Sequence, residues 1–89
     1  MADKKKVIKF YASWCGPCKV YGKVWDKVVE EFSNNDSYEF IDVNVESDTT
    51  GLAAEYKVKS IPLTVLVENG TTTQKPGRLS QEELISLIK

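Results

Sequence analysis

The sequence predicts an α/β fold: an open, four-stranded mixed sheet flanked by helices in the order β-α-β-α-β-β-α. Three observations carry it. Four short segments are rich in β-branched and aromatic residues or alternate apolar with polar. Two longer segments place apolar residues at helical spacing, and the first of them joins two strands within about 40 residues, as a βαβ unit does. Asn69-Gly70 separates the last two strand-like runs and is a strong hairpin signal. At 89 residues the chain is long enough for one modest core and too short for two, so a single domain over 1–89 is expected.

Each element follows in order. Val7-Ile8-Lys9-Phe10-Tyr11-Ala12 is nearly continuous in strand-forming residues, as a central strand should be. The run stops at Ser13-Trp14, and Cys15-Gly16-Pro17-Cys18 opens a helix, since the missing N–H of Pro17 is tolerated in a first turn. Tyr21, Val24, Trp25, Val28, Val29 and Phe32 then form a wide apolar stripe suited to packing on a sheet. Ser33-Asn34-Asn35-Asp36 ends that helix. A second strand is expected over Tyr38 to Val45, and a short helix over Thr50 to Tyr56 opened by Asp48 or Thr49. Leu63 to Val67 reads as a third strand. Thr71 to Lys75 is thin in apolar residues and belongs at an edge, and Pro76-Gly77 turns the chain. Ser80-Gln81-Glu82-Glu83 is a capping box, with Leu79 placed to staple onto Leu84 and with Leu84, Ile85, Leu87 and Ile88 facing the sheet. In an open α/β sheet the functional loop lies at the carboxyl end of a strand, which is where the two cysteines fall.

Composition narrows the function. Apolar residues make up 42% and charged residues 28%, as in ordinary globular proteins. Twelve Lys and Arg against thirteen Asp and Glu argue against binding nucleic acid or an anionic membrane through bulk charge. Without histidine, catalysis by serine–histidine or cysteine–histidine pairs and imidazole metal sites are ruled out. No apolar run approaches the roughly 18 residues of a membrane span, and no secretory signal follows the polar start Met1 to Lys6, so the chain reads as cytoplasmic. Lys4-Lys5-Lys6 reads as a solvated tail.

The two cysteines are the informative residues. A disulfide between Cys15 and Cys18 would close a loop of about four residues and stabilise a fold by roughly 2 kcal/mol, which makes a poor staple. Structural zinc normally takes four Cys or His ligands, so a zinc site would need a second copy of the chain. Redox chemistry remains. A dithiol that exchanges with other disulfides needs one exposed thiolate to attack and a second thiol near enough to resolve the mixed disulfide. Cys15 falls at the helix amino end, where unpaired N–H groups and the dipole favour an anion; Cys18 lies one turn in and more buried. Lowering a thiol pKa from about 8.5 to about 7 raises the thiolate fraction about sixteenfold. Intrinsic nucleophilicity falls about fivefold over the same shift, so the low pKa matters as much for making Cys15 a good leaving group. Trp14, exposed by its place at a strand end, reads as a platform for substrates.

Trp14-Cys15-Gly16-Pro17-Cys18-Lys19 resembles the active-site motif of the thioredoxin family. Ile61-Pro62 resembles that family's cis-proline, and Pro76-Gly77 resembles the glycine bordering its substrate groove, although Gly77 also suits a plain turn. The three matches arrive in the family's order and cover nearly the whole chain. The resemblance implies a thioredoxin-like fold and a protein-disulfide reductase: Cys15 as nucleophile, Cys18 as resolving thiol, and Trp14, Gly16, Pro17, Ile61, Pro62 and Gly77 at the substrate. It implies no metal and no cofactor beyond the Cys15–Cys18 disulfide. The expected partners are protein disulfides and a thioredoxin-reductase-like electron donor, acting on a monomer. An alternative is a binding or assembly subunit whose cysteines are dispensable.

Four departures stand out. The chain begins where the family's second strand usually begins, as a minimal, N-terminally short member would. The family's buried aspartate, six residues before the first cysteine, falls on Lys9. Its helix-kinking proline, five residues after the second cysteine, falls on Lys23, and Leu63 follows Pro62 where threonine is common. Strand alternation places Lys9 beneath the active-site helix. There its ammonium would support a thiolate, or, neutralised by burial, serve Cys18 as a base, or else the stem would snorkel to solvent.

Overall fold

A computed structural model describes residues 4–89, so the first three residues of the polar start lie outside it. The elements are β1 (Lys5–Tyr11), α1 (Gly16–Glu31), β2 (Tyr38–Asn44), α2 (Leu52–Glu55), β3 (Leu63–Glu68), β4 (Thr71–Pro76) and α3 (Gln81–Ile88). The sheet order is β2-β1-β3-β4. β1 runs parallel to β2 and antiparallel to β3, and β3 pairs antiparallel with β4, giving the expected mixed sheet. No described helix is long and apolar enough to cross a membrane.

The period-2 pattern sorts the core into two faces. Val7 and Leu66 face α1 and α3, where Tyr21, Trp25, Val28, Leu84 and Ile88 are buried with them. Ile8, Phe10 and Val65 face the other way and are covered by Leu52, Ala53, Tyr56 and Val58. α3 is opened by the anticipated box: Glu83 N–H donates to Ser80 Oγ at 3.1 Å, and Ser80 N–H donates to Glu83 Oε1 at 2.9 Å. Of the four residues expected to face the sheet, Leu84 and Ile88 are fully buried and Ile85 and Leu87 half-buried. Asn69 and Gly70 both adopt positive φ, as a primed hairpin turn requires.

Two expectations need correction. Lys5 and Lys6 belong to β1 and are not a tail, because Lys5 pairs with Tyr38 and Lys6 with Glu39 in the ladder. Lys5 is further held by its own ammonium, which donates to Ile88 O at 2.9 Å and pairs with Glu68 at 3.3 Å. The second helix is only Leu52–Glu55. Gly51 at φ 78 precedes it and Lys57 at φ 52 follows, so left-handed residues bound it on both sides. Asp48 does open it: its carboxylate accepts from the N–H groups of Thr50, Gly51 and Ala53 and from the Thr50 hydroxyl.

Candidate active site

β1 delivers the chain to a turn at the carboxyl end of the sheet, and α1 starts immediately beyond it. Cys15 is the N-cap of α1 in extended conformation (φ −85, ψ 109), and Pro17 occupies the first turn. A cap residue must give an acceptor to the unpaired N–H groups behind it. Here the acceptor is sulfur: Cys18 N–H points to Cys15 Sγ at 3.2 Å. Such a donor favours an anionic sulfur at Cys15. The Cα atoms of Cys15 and Cys18 are 5.2 Å apart and the two sulfurs are joined as a disulfide.

The two cysteines are equally covered, at 5% and 4% exposure, so the expected contrast between an exposed Cys15 and a buried Cys18 is absent in the oxidised state. The physical reason is that each sulfur covers the other, while Ala12, Tyr11, Val45 and Ile61 pack around the pair. What separates them is their partners. Cys15 Sγ faces the cap N–H and lies 4.0 Å from Ile61 O.

Ile61-Pro62 is a cis peptide, as the resemblance implied. Pro62 is buried, and its carbonyl accepts from Gly77 N–H at 2.9 Å, which ties the turn after β4 to the active-site loop. Gly77 has φ 87, and a Cβ there would meet nothing within 4 Å. Its glycine is therefore explained by conformation and not by crowding. Gly16 likewise has open space around it.

Trp14 stands out from the surface at 68% exposure, beside a turn pinned by the Ser13 hydroxyl donating to Glu46 Oε1 at 3.0 Å. Below it runs a groove of about 410 Å³ lined by Trp14, Val45, Ala53, Val58, Lys59 and Ile61 among others. A second groove of about 280 Å³ is formed by Val20, Tyr21 and Val24 of α1 with Arg78, Leu79 and Ser80. Sequence reasoning singled out neither Lys59, Arg78, Val20 nor the groove wall at Val45 and Ala53. The one available signal was the i, i+4 pair Val20 and Val24 at the border of the helix stripe.

Beneath α1 the sheet carries two polar residues. Thr64 is fully buried and shares a 2.6 Å hydroxyl–hydroxyl hydrogen bond with Tyr21, whose pKa burial pushes up to about 12. A buried hydroxyl without such a partner would cost about 1–3 kcal/mol. Lys9 is 7% exposed and does face the helix, with its ammonium 5.5 Å from the Trp25 ring and 4.8 Å from the Tyr11 ring. Its ion pair is with Asp42 of the edge strand at 3.9 Å, and the Asp42 side chain is half in solvent. The ammonium is thus led sideways to the sheet edge and balanced there. Among the described residues no three His, Cys, Asp or Glu side chains gather to hold a metal.

Comparison with known proteins agrees with this geometry. A sequence model of the thioredoxin family matches residues 1–89. Thioredoxin from Mycoplasma genitalium is 37% identical over 88 residues, covering 98% of this chain and 82% of that protein. Thioredoxin from Mycoplasmoides gallisepticum is 33% identical over 88 residues, covering 98% and 84%. The X-ray structure of Fasciola hepatica thioredoxin superposes with a TM-score of 0.82 at 26% identity, covering 98% of this chain and 80% of that one.

Proposed function

From the premise that this chain belongs to the thioredoxin family and is a thiol–disulfide oxidoreductase, we propose that Cys15 is the attacking thiol and Cys18 the resolving one. The carrying observation is the cap hydrogen bond from Cys18 N–H to Cys15 Sγ at 3.2 Å, which supports negative charge on Cys15 alone. In the reduced protein the Cys15 thiolate attacks one sulfur of a substrate disulfide. A mixed disulfide forms and one substrate thiolate leaves. Cys18, having given up its proton, then attacks Cys15 Sγ and expels the second substrate thiolate. Two electrons pass to the substrate, two protons complete its thiols, and the Cys15–Cys18 disulfide is left. Lowering the charge cost at Cys15 helps the first step, in which its thiolate is the nucleophile.

Around this pair Trp14, Gly16, Pro17, Ile61, Pro62 and Gly77 receive the substrate. Support comes from the exposure of Trp14 and from the bond that holds Gly77 to Pro62. Pro62 has no N–H, so the backbone beside the sulfurs carries one fewer donor to compete with the exchange. Lys9 acts on the cysteines weakly at most, since Asp42 and two aromatic rings already accommodate its charge.

The family acts on protein disulfides and is regenerated by reductase partners; for this chain the donor is a thioredoxin-reductase-like protein. The disulfide is the redox centre and needs no added cofactor. The working unit is a monomeric single domain acting in the cytoplasm; its 89 residues suit one modest core. Reduction of insulin by dithiothreitol tests the function. The wild type should accelerate it, and Cys15→Ser should fall to the rate of dithiothreitol alone. Acceleration retained in Cys15→Ser would remove Cys15 from the chemistry, and no acceleration by the wild type would favour an assembly role with dispensable cysteines.

A further inference from the structure

Resting on the oxidoreductase reading, we infer that Lys59 and Arg78 select substrates by charge: the segment this site accepts carries apolar residues and carboxylates on both sides of its target cysteine. Two largely apolar grooves include residues next to the cysteine motif in the chain, one Trp14, just before Cys15, and the other Val20, two residues after Cys18, and each is lined by a single cation and no carboxylate. In a chain with more carboxylates than cations this is a local inversion of charge.

Position ties both cations to the sulfurs. Lys59 lies two residues before Ile61, whose carbonyl is 4.0 Å from Cys15 Sγ. Arg78 follows Gly77, whose N–H binds the carbonyl of Pro62. Both side chains are exposed. The ion pairs among the described residues are Lys5–Glu68 and Lys9–Asp42, so neither groove cation is committed to an internal partner. Trp14 and Val20, at 68% and 50% exposure, give each groove an exposed apolar residue. The occupant that satisfies both features is an extended stretch of a protein substrate with an acidic residue on either side of its cysteine. Its hydrophobic side chains settle beside Trp14 and Val20 while its carboxylates meet Lys59 and Arg78.

The test uses two disulfide-linked peptide dimers of one design, each cysteine flanked on both sides by Leu-Asp in one and Leu-Lys in the other. Stopped-flow rates with the reduced protein are divided by those of the same peptides with free dithiothreitol, which removes the intrinsic reactivity of each disulfide. The wild type should favour the acidic peptide on the order of tenfold at low salt, shrinking towards parity at 1 M salt. Lys59→Glu combined with Arg78→Glu should reverse the preference. Lys27→Glu, about 18 Å along α1 from Cys15 at 1.5 Å per residue, should leave it in place. A wild-type ratio near one, a ratio insensitive to salt, or an equal shift in Lys27→Glu would overturn the inference. Reduction of uncharged hydroxyethyl disulfide by the wild type separates the two levels. If it proceeds while the peptides show no preference, only the charge selection fails; if neither it nor the peptides are reduced, the oxidoreductase reading fails as well.

Discussion

The two ends of the sheet are built differently. At the amino end of β1, side chains lock three elements together. Lys5 Nζ donates to Ile88 O at 2.9 Å and Lys89 O at 3.1 Å, and the Tyr38 hydroxyl donates to Ile88 O at 3.0 Å. These groups satisfy carbonyls that the end of α3 leaves open. Beside them Phe32, Tyr38, Phe40 and Trp25 pack edge to face or stacked, with centroids as close as 5.0 Å for Phe32 and Tyr38. At the carboxyl end the strands give way to turns held by the disulfide, the Gly77–Pro62 backbone bond and the Ser13–Glu46 contact. Large apolar groups there point outward. The difference teaches that stability is concentrated away from the sulfurs, which leaves the reactive end free to present Trp14 beside an exchangeable disulfide.

The sharpest way to break this comparison uses the two tryptophans. Trp25→Ala empties a fully buried site against Phe40 and Tyr21 and should cost about 3–5 kcal/mol, much of the 5–15 kcal/mol available to a small domain. Trp14→Ala should change stability by less than about 0.5 kcal/mol, because the side chain is mostly in water, while slowing insulin reduction several-fold. Urea unfolding of both variants in the reduced state decides it; similar losses would mean the ends are not separable.

Next in size is the lock itself. Lys5→Met removes two hydrogen bonds to the end of α3 and should cost about 1 kcal/mol. Amide exchange should quicken in the last turn of α3 and stay unchanged in the first turn of α1. Faster exchange at Cys18 instead would show that the two ends communicate.

Acid probes the other face. Asp48 is held below its ordinary pKa, first by the Thr50 hydroxyl and then by the Ala53 N–H. A depressed carboxylate contributes stability above its unfolded pKa of about 3.9 and loses it as pH falls further. The α2 segment should therefore loosen below about pH 4, seen as quicker amide exchange at Ala53, and Asp48→Asn should show that loosening already at neutral pH. At the alkaline extreme Tyr21 works with the opposite sign: its raised pKa keeps its contribution intact up to about pH 10 and loses it as pH climbs towards about 12.

The smallest effect is expected at Lys9. With its charge balanced by Asp42, Lys9→Met should leave the cysteine thiolate titration at 240 nm unchanged. A clear upward shift of that titration would restore Lys9 to the chemistry.

Much of this was legible in the sequence because local rules agreed with the tertiary ones. The capping box at Ser80, the Asn69-Gly70 hairpin and the stripe from Tyr21 to Phe32 all formed where their spacing placed them. The cysteine pair at a strand end identified the site. Less visible were features that depend on long-range pairing. Lys5 and Lys6 read as a tail because only the register with Tyr38, Glu39 and Val67 makes them strand. The Tyr21–Thr64 bond joins residues 43 apart, and the grooves exist only once α1, α2 and the turn at Gly77 converge. The helix expected over Thr50 to Tyr56 forms only over Leu52–Glu55, because nothing in its sequence reveals that Lys57 takes a positive φ.

The division of labour between the cysteines is most directly tested by trapping. Reduced Cys18→Ser protein is mixed with a disulfide substrate and analysed by intact mass and peptide mapping. The account gives one covalent adduct per molecule, through Cys15, that persists until thiol is added. Continuous turnover by Cys18→Ser without added thiol, or the same trapping by Cys15→Ser through Cys18, would contradict it.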